Sequence, residues 1–543
     1  MKPDTLSDPE QPPQRPGGGL ARYAGVTGAA TLASRILGLA RDQVLAWFFG
    51  ASNEMDAFVV AFRVPNLVRD LFAEGAMSAA FVPTFTRQLT LKGKADAWRL
   101  ANNVLTALVL STGVLVVLGI VFARPLIDVY AGDFASVPGK LELTVQLTRV
   151  MLPFLTMVAV AAAVMGMLNS LHHYFVPALS PAMFNIATIA GAFLLVPMMP
   201  HAGLPPIMAI AIAALAGGFG QLAIQWPSLR REGYRYAPVL DLRDPVLRRV
   251  LILMGPGTIG LAATQVNLFV NTLLATSQGT GAASWLTYAF RLMYLPIGLF
   301  GVSIGTAVLP AVSRHAAVGD TAGIRNTVSR GLGMMLMLNV PATVGLFVLA
   351  TPIVQLLFER GRFLPADTAA TAAAARFYAI GLVGYSAVRI ASPTFYAIGD
   401  SRVPAMVSGG AIAVNVIASV ALVRAMGFEG LALGTSIASI ANGAALVWLL
   451  RRRLGSLDGR RLSATLVKVL ASSVVMAMAC VAIQHEMVTI APGSGLPVQL
   501  LRLGTSIGGG IAALALTARI LHVDEFGDAL GFVHVRVQKL LKR

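Results

Sequence analysis

Ionisable side chains stand inside stretches that are otherwise apolar, and their types point to the binding of an anion. The segment LASRILGLARD brings together Ser34, Arg35, Arg41 and Asp42. Ser34 and Arg41 are seven residues apart, as are Arg35 and Asp42, so each pair shares a helix face. Further on, Asp56, Arg63, Asn66 and Asp70 follow one another at intervals of seven, three and four along one helical stripe, with Arg69 and Glu74 beside it. A third segment, SWLTYAFRLMYLP, offers Ser284, Arg291 and Pro296, and Arg389 stands in a fourth. Arginine is permanently charged and grips phosphate bidentately. Six arginines (Arg35, Arg41, Arg63, Arg69, Arg291 and Arg389) stand against four acids (Asp42, Asp56, Asp70 and Glu74), so a cavity lined by them is net positive. An anionic headgroup fits such a cavity, and pyrophosphate is the natural candidate. For the four acids, internal ion pairing or snorkelling near helix ends is an equal alternative.

The elements that must position these residues are membrane spans. Of 543 residues, 56% are hydrophobic and only 12% charged, against roughly 45–50% and 25% in ordinary soluble domains. A chain of this size cannot hide that much apolar surface in one water-soluble core. A soluble enzyme, a disordered protein and a coiled coil are excluded. A span needs about 20 mostly apolar residues, and fourteen such stretches are expected, near 24–50, 55–86, 99–124, 144–170, 174–198, 204–226, 247–275, 283–312, 331–357, 368–398, 402–424, 428–450, 463–484 and 498–521. The first, second, eighth and tenth carry charge and are the easiest for a hydropathy window to miss.

An even number of spans puts both termini on one side. Of 42 Lys and Arg, 28 fall in the N-terminal tail, the even-numbered loops and the C-terminal tail, and only five fall in the odd loops (Arg124, Lys140, Arg360, Arg362 and Arg424). By the positive-inside rule both termini are expected in the cytoplasm. The net charge of +17 is therefore mostly topological, and no basic, aromatic-interleaved soluble module remains to bind nucleic acid.

The chain also repeats itself. Ala61-Phe62-Arg63 recurs as Ala289-Phe290-Arg291, 228 residues on. Ala80-Phe81-Val82-Pro83 with Arg87 matches Ala307-Val308-Leu309-Pro310 with Arg314, Val176-Pro177-Ala178 matches Val403-Pro404-Ala405, and Gly203-Leu204 matches Gly430-Leu431, each 227 residues on. Spans 1–6 thus map onto 7–12 in the same orientation, which predicts two six-helix lobes followed by two extra helices. The expected divisions are a disordered, Pro/Gly-rich cytoplasmic tail over 1–20, an N-lobe over 21–240, a C-lobe over 241–456, the extra pair over 457–522 and a basic cytoplasmic tail over 523–543.

Other features carry less. Cys480, the single cysteine, lies in an apolar run, where it can form no intrachain disulfide and makes a poor thiol catalyst. His172-His173 has no further metal ligands beside it and reads as a solvated turn. Gly504 with Gly508-Gly509-Gly510 reads as close helix packing, with a lipid groove as the alternative. No Walker motif, H-E-x-x-H or nucleophile elbow occurs, so neither ATP-driven transport by this chain alone nor a catalytic activity is supported. No cofactor or metal is expected.

The block TLASRILGLARDQVLAWFFGASNEMDAFVVAFRVPNLVRDLFAEGAMSAAFVPTF (Thr31–Phe85) strongly resembles the opening of the MurJ (MviN) family of bacterial lipid II flippases in the MOP exporter superfamily. Ser284–Pro310, LFERGRF (Leu357–Phe363) and FYAIGDSRVPA (Phe395–Ala405) extend the resemblance along nearly the whole chain. It implies an all-α, polytopic inner-membrane protein of about fourteen helices, with two lobes in a V-shaped arrangement and an extra C-terminal pair that forms a lipid-tail groove. It also implies movement of lipid II, the undecaprenyl-pyrophosphate-linked peptidoglycan precursor, to the periplasmic leaflet by alternating access. The partners implied are lipid II, membrane lipids and cell-wall synthesis enzymes, and the drive is the membrane potential or an ion. Family-sensitive cavity positions map onto Ser34, Arg35, Arg41, Asp42, Asp56, Asn66, Arg69, Glu74, Ser284, Arg291 and Arg389, and the residue pattern adds Arg63. Two positions depart from the family. Phe290 stands where an acid is common, and Tyr294 where some members carry glutamate, which puts a proton-carrying carboxylate in this span in doubt.

Three rivals remain. A flippase for another undecaprenyl-linked glycan, such as an O-antigen unit, shares the cavity physics but not the Thr31–Phe85 block. A cation-coupled drug exporter is expected to have twelve spans and a cavity that does not repel cations. A non-transporting scaffold for cell-wall enzymes needs no cavity charge at all.

Overall fold

A chain this apolar has to satisfy its backbone N–H and C=O groups internally, and within lipid a helix does so one segment at a time. The computed structural model describes residues 18–70 and 80–527, and all of its regular elements are helical. The first half holds α1 (Gly18–Phe49), α2 (Asn53–Arg69), α3 (Val82–Lys92), α4 (Lys94–Val121), α5 (Ala123–Ala131), α6 (Lys140–Met151), α7 (Phe154–Ser170), α8 (Phe175–Leu194) and α9 (Met208–Arg231). The second half holds α10 (Pro245–Thr276), α11 (Ala282–Pro296), α12 (Val302–Ala317), α13 (Thr321–Val348), α14 (Ala350–Phe358), α15 (Pro365–Ile380), α16 (Leu382–Ala397), α17 (Arg402–Met426) and α18 (Phe428–Leu454). Two long helices, α19 (Gly459–Ile490) and α20 (Leu496–Ile520), close the described chain.

Every one of the fourteen expected stretches contains helix. Ten helical stretches among the described residues are long and apolar enough to cross a membrane. The expected stretches outside that ten include α1, α2 with α3, and α15 with α16. The reasons are physical for two of them: α2 carries Asp56, Arg63 and Arg69 within 17 residues, and α15 and α16, with 16 residues each, are separated at Gly381. Pro296 likewise ends the regular turns of α11, and a π-helical segment, Ile297–Gly301, links it to α12.

Packing repeats as the sequence does. The neighbours α8–α9, α7–α9, α2–α6, α4–α7, α3–α4 and α3–α7 recur as α17–α18, α16–α18, α11–α15, α13–α16, α12–α13 and α12–α16. Contacts are dense within each set and sparse between them, the latter being made chiefly by α2 with α11, α10 with α5 and α1 with α14. The pair α19–α20 packs on α13 and α14. Gly509 and Gly510 lie against Ile483 and Cys480 of α19, whereas Gly504 and Gly508 face open space.

Close approach of helices rests on small residues. A Cβ on Gly384 would stand 2.5 Å from the Ser439 carbonyl carbon, and one on Gly443 would stand 2.8 Å from the Gly384 oxygen, so α16 and α18 meet backbone to backbone. Amides tie α10 to α17 and α18: Asn415 Nδ2 donates to Asn267 and Asn271 Oδ1 at 2.5 and 2.9 Å, and Asn271 Nδ2 donates to Thr435 Oγ1 at 3.2 Å. At one end, Glu232 accepts from Lys94 Nζ at 2.8 Å and lies 2.7 Å from His173 Nε2. These donors, Lys94 first, hold its carboxyl below the usual range, and the His172-His173 turn is a solvated surface cluster.

The described residues reach into both expected tails. Gly18–Leu20 already belong to α1; the rest of the expected N-terminal tail lies outside the described residues. At the start of the expected basic tail Glu525 is buried, accepting from Arg461 Nη2 at 3.2 Å and from Thr465 Oγ1 at 3.1 Å.

Replacing Gly384 with Leu should force α16 from α18, an overpacking cost of about 1–3 kcal/mol. Thermal unfolding in detergent should show a lowered Tm, and an unchanged Tm would refute the backbone contact.

Candidate functional site

Four of the six expected arginines reach one cavity, three from helices of the first half and Arg291 from α11. The cavity holds about 590 Å³ and is walled by α1, α2, α7, α8, α9 and one face of α11. Arg41 and Asp42 reach it from α1, Arg63, Asn66 and Arg69 from α2, and Arg291 from α11. Four lining arginines thus confront one lining carboxylate. An ionised group among apolar spans costs at least ~2.5–3.5 kcal/mol on insertion scales, so each needs a partner, water or a ligand.

Asp42 is the local counterion for two of them. It is buried, accepts Arg41 Nε and Nη2 on Oδ1 at 3.0 and 2.6 Å, and has Arg291 Nε 2.7 Å from Oδ2. Arg41 is held further by Asn185, whose Oδ1 accepts from Nη1 at 3.2 Å, and by the Phe184 ring, 5.4 Å from the guanidinium carbon. Asn185 also donates to the carbonyl of Ser34 at 3.1 Å, so Ser34 serves here through its backbone. Arg69 donates twice to Asp70 Oδ1, at 2.9 and 2.6 Å, while Gln265 of α10 donates to Asp70 Oδ2 at 3.4 Å. Arg63 is different: its Nε is buried with no hydrogen-bond partner, and the same holds for Asn66 Oδ1.

Other expected cavity residues are elsewhere. Asp56 is fully buried in a clasp between the halves. Its Oδ2 takes Lys140 Nζ at 2.9 Å and the Gly281 N–H at 2.7 Å, and its Oδ1 takes the N–H and hydroxyl of Ser284 at 3.1 and 2.7 Å. Asp56 therefore caps the N-terminus of α11 from another helix, and neither Asp56 nor Ser284 lines the cavity. Around the clasp, Thr280 donates to Asn53 Oδ1 at 2.7 Å and the Arg362 N–H to the Trp47 carbonyl at 2.9 Å. Gly50 has φ +58°, and a Cβ there would strike the Arg362 carbonyl, so glycine suits both the turn and the contact.

Arg35 is exposed and its guanidinium lies against Gly298 in the π-helical segment. Arg389 is exposed and donates to Tyr294 Oη at 3.4 Å, one turn beyond Arg291, outside the cavity wall. Glu74 lies outside the described residues. Phe290 packs against Tyr378 and Tyr294, with ring centroids 5.4 and 5.9 Å apart. The expected cavity between two lobes is thus mostly a first-half cavity, closed on one side by α11.

Residues that the sequence did not single out complete the site. Lys140 reads as a loop cation but opens α6 and is buried against Asp56, a pairing across 84 residues that leaves no local trace. Asn185, Gln221 and Gln225 were visible as lone amides in apolar helices, with the two glutamines four apart on one face of α9. Among the described residues, no group of three or more His, Cys, Asp or Glu is arranged to hold a metal.

Known proteins are similar to this chain in sequence and in fold. The family model described as "Lipid II flippase MurJ" matches residues 45–500. The Lipid II flippase MurJ of Burkholderia cenocepacia is 35% identical over 427 residues, covering 78% of this chain and 82% of that protein. The probable lipid II flippase MurJ of Rhizobium meliloti is 34% identical over 441 residues, covering 79% and 81%. Among solved structures, a lipid II flippase MurJ in an inward closed conformation superposes with a TM-score of 0.75 at 26% identity, covering 91% of this chain and 99% of that one. An inward-facing MATE multidrug transporter of the MOP superfamily superposes at 0.66 with 17% identity over 80% and 99%, a likeness of fold alone.

The clasp makes a stability prediction. Lys140→Met leaves the buried Asp56 without its cation and should cost about 3–5 kcal/mol. Adding Asp56→Asn should recover part of that loss, so the double variant should unfold at a higher Tm than Lys140→Met alone. A double variant less stable than the single one would refute the pairing.

Proposed function

The chain belongs to the lipid II flippase MurJ family, and from that premise we propose that it moves lipid II from the cytoplasmic to the periplasmic leaflet of the bacterial inner membrane. The observation that carries the reading is the 590 Å³ cavity with four arginines and one carboxylate, in which Arg63 Nε has no protein partner. A pyrophosphate supplies the missing negative charge and bidentate acceptors for Arg41, Arg63, Arg69 and Arg291. A scaffold has no use for such a cavity, and a cation exporter is disfavoured by its sign.

The cycle is alternating access between the two sets of helices, with 21–240 and 241–456 moving as lobes. Both termini are cytoplasmic, so the Asp56 clasp lies toward the periplasm and closes that side, while the substrate enters from the cytoplasmic leaflet. Binding neutralises mutually repelling arginines and lets the inner side close. Breaking the Asp56–Ser284 contacts then opens the outer side, where the headgroup leaves. The membrane potential resets the empty cationic cavity, a unit charge crossing it being worth ~2.3 kcal/mol per 100 mV. The α19–α20 pair, where Gly504 and Gly508 leave open space, takes the lipid tail.

The test is the leaflet location of lipid II in cells depleted of the protein, read with a periplasm-restricted enzyme that cleaves its headgroup. Depletion should leave lipid II uncleaved, and wild type should restore cleavage. Arg291→Ala should restore at least about tenfold less, the effect of about 1.4 kcal/mol. Arg502→Ala should restore fully, since Arg502 donates to the Ala491 carbonyl at a helix end outside the cavity. Cleavage unaffected by depletion would turn attention to other lipid-linked glycans.

A further inference from the structure

We infer that the cavity has a second, uncharged wall that reads hydrogen-bond donors next to the pyrophosphate, with Gln225 as its specificity-determining acceptor; the inference rests on the lipid II reading above. α9 presents Gln221 and Gln225 to the cavity, one turn apart, and α8 presents Ser180 beside them. Gln225 is 1% exposed. Its Nε2 donates to Ser180 Oγ and the Gln221 carbonyl at 2.9 Å each and to the Ala161 carbonyl at 3.3 Å. Three acceptors around one end of the amide settle which end is nitrogen. The other end, Oε1, is buried with no partner.

A buried carbonyl oxygen without a donor is a costly group to leave unmade. Gln225 lines the cavity, so a ligand packed against that wall is placed to supply the missing donor. Asn66 Oδ1, on α2, waits in the same condition. Neither oxygen can serve a pyrophosphate, whose ionised oxygens only accept. Both match O–H or N–H groups. The guanidinium groups of Arg41, Arg63, Arg69 and Arg291 are donors only, so the cavity divides its work: arginine donors for the pyrophosphate, and amide acceptors for the hydroxyl or amide groups joined to it. Sugar hydroxyls and peptide N–H groups share that chemistry, and the binding test separates them.

The test measures affinities of the purified full chain in lipid nanodiscs for three probes: lipid II, undecaprenyl pyrophosphate, and an undecaprenyl-pyrophosphate-linked monosaccharide without peptide. Wild type should prefer lipid II to undecaprenyl pyrophosphate. Gln225→Met, similar in size but without an acceptor of comparable strength, should reduce that preference about five- to tenfold and leave undecaprenyl pyrophosphate affinity within about twofold. Gln225→Glu keeps the acceptor oxygens but adds an anion, so it should weaken both ligands and retain the preference. If Gln225→Met also loses its preference for the peptide-free monosaccharide lipid, the donor is on the sugar; if only lipid II suffers, it is on the peptide. An unchanged preference in Gln225→Met overturns the inference, as does a collapse of undecaprenyl pyrophosphate affinity in both variants, which would mark Gln225 as a packing residue. Failure of wild type to bind any of the three lipids would instead sink the lipid II reading itself.

Discussion

A charge enclosed among membrane-spanning helices needs a partner, water or a ligand, and that constraint organises this molecule. Asp42 is the clearest case: one buried carboxylate between Arg41 of its own helix and Arg291 of α11. Its two oxygens are divided between them, so it half-neutralises each. Asp70 meets Arg69 but also receives Gln265 from α10. What remains after these pairings is a cavity whose positive charge exceeds the acids that line it, with its charged residues confined to α1, α2 and α11.

The two halves share their packing but not their chemistry. At the 227-residue spacing, Asn185 corresponds to Ile412, and Gln221 and Gln225 correspond to Trp448 and Arg452. Trp448 and Arg452 are exposed and stack on each other, with the guanidinium carbon 3.8 Å from the ring centroid. The amide pair of α9 therefore has a cation–π pair on an outer surface as its counterpart in α18. The two halves share a packing scaffold but differ at a few lining positions, so the polar cavity lies on one side of the pseudo-symmetry. The second half contributes through α11, whose regular turns end at Pro296 and whose Arg291 is 46% exposed at the side chain.

Much of the helical layout was legible in the sequence, because period, proline and glycine act locally: each expected stretch contains helix, and the repeat in residues reappears as a repeat in neighbours. Arg41, Asp42, Arg63, Asn66, Arg69 and Arg291 were legible as a group because charge in an apolar run is rare and its helical spacing is readable. Their partners were less so. Nothing near Asp56 announces Lys140, and the stripe that places Asp56 with Arg63 on one face says nothing of how far along the helix the cavity extends. Asp56 begins that stripe, two turns before Arg63, and the start of α11 covers it. Arg389 lies outside the cavity wall for the same reason: its charge and span were evident, while its position beside Tyr294 depends on how α16 packs on the segment after Pro296.

The inter-half contacts follow one pattern. Ser284 and Arg291 are seven residues apart on α11, two turns along one face, and each meets a carboxylate of the first half: Asp56 and Asp42. Each carboxylate also keeps a cation within its own half, Lys140 for Asp56 and Arg41 for Asp42. If α11 moves away, neither acid is stranded, and the large penalty for breaking a buried ion pair is avoided. What α11 loses is different at its two contacts. The Gly281 and Ser284 groups are neutral donors at a helix end that water can satisfy. Arg291 loses a charge partner in a cavity already rich in cations, and a bound pyrophosphate is the one species in the proposed cycle able to replace it. In the proposed cycle, separation of the halves is therefore least costly at the Asp56 contact and costliest at Arg291 without ligand, and the motion is tied to occupancy of the cavity.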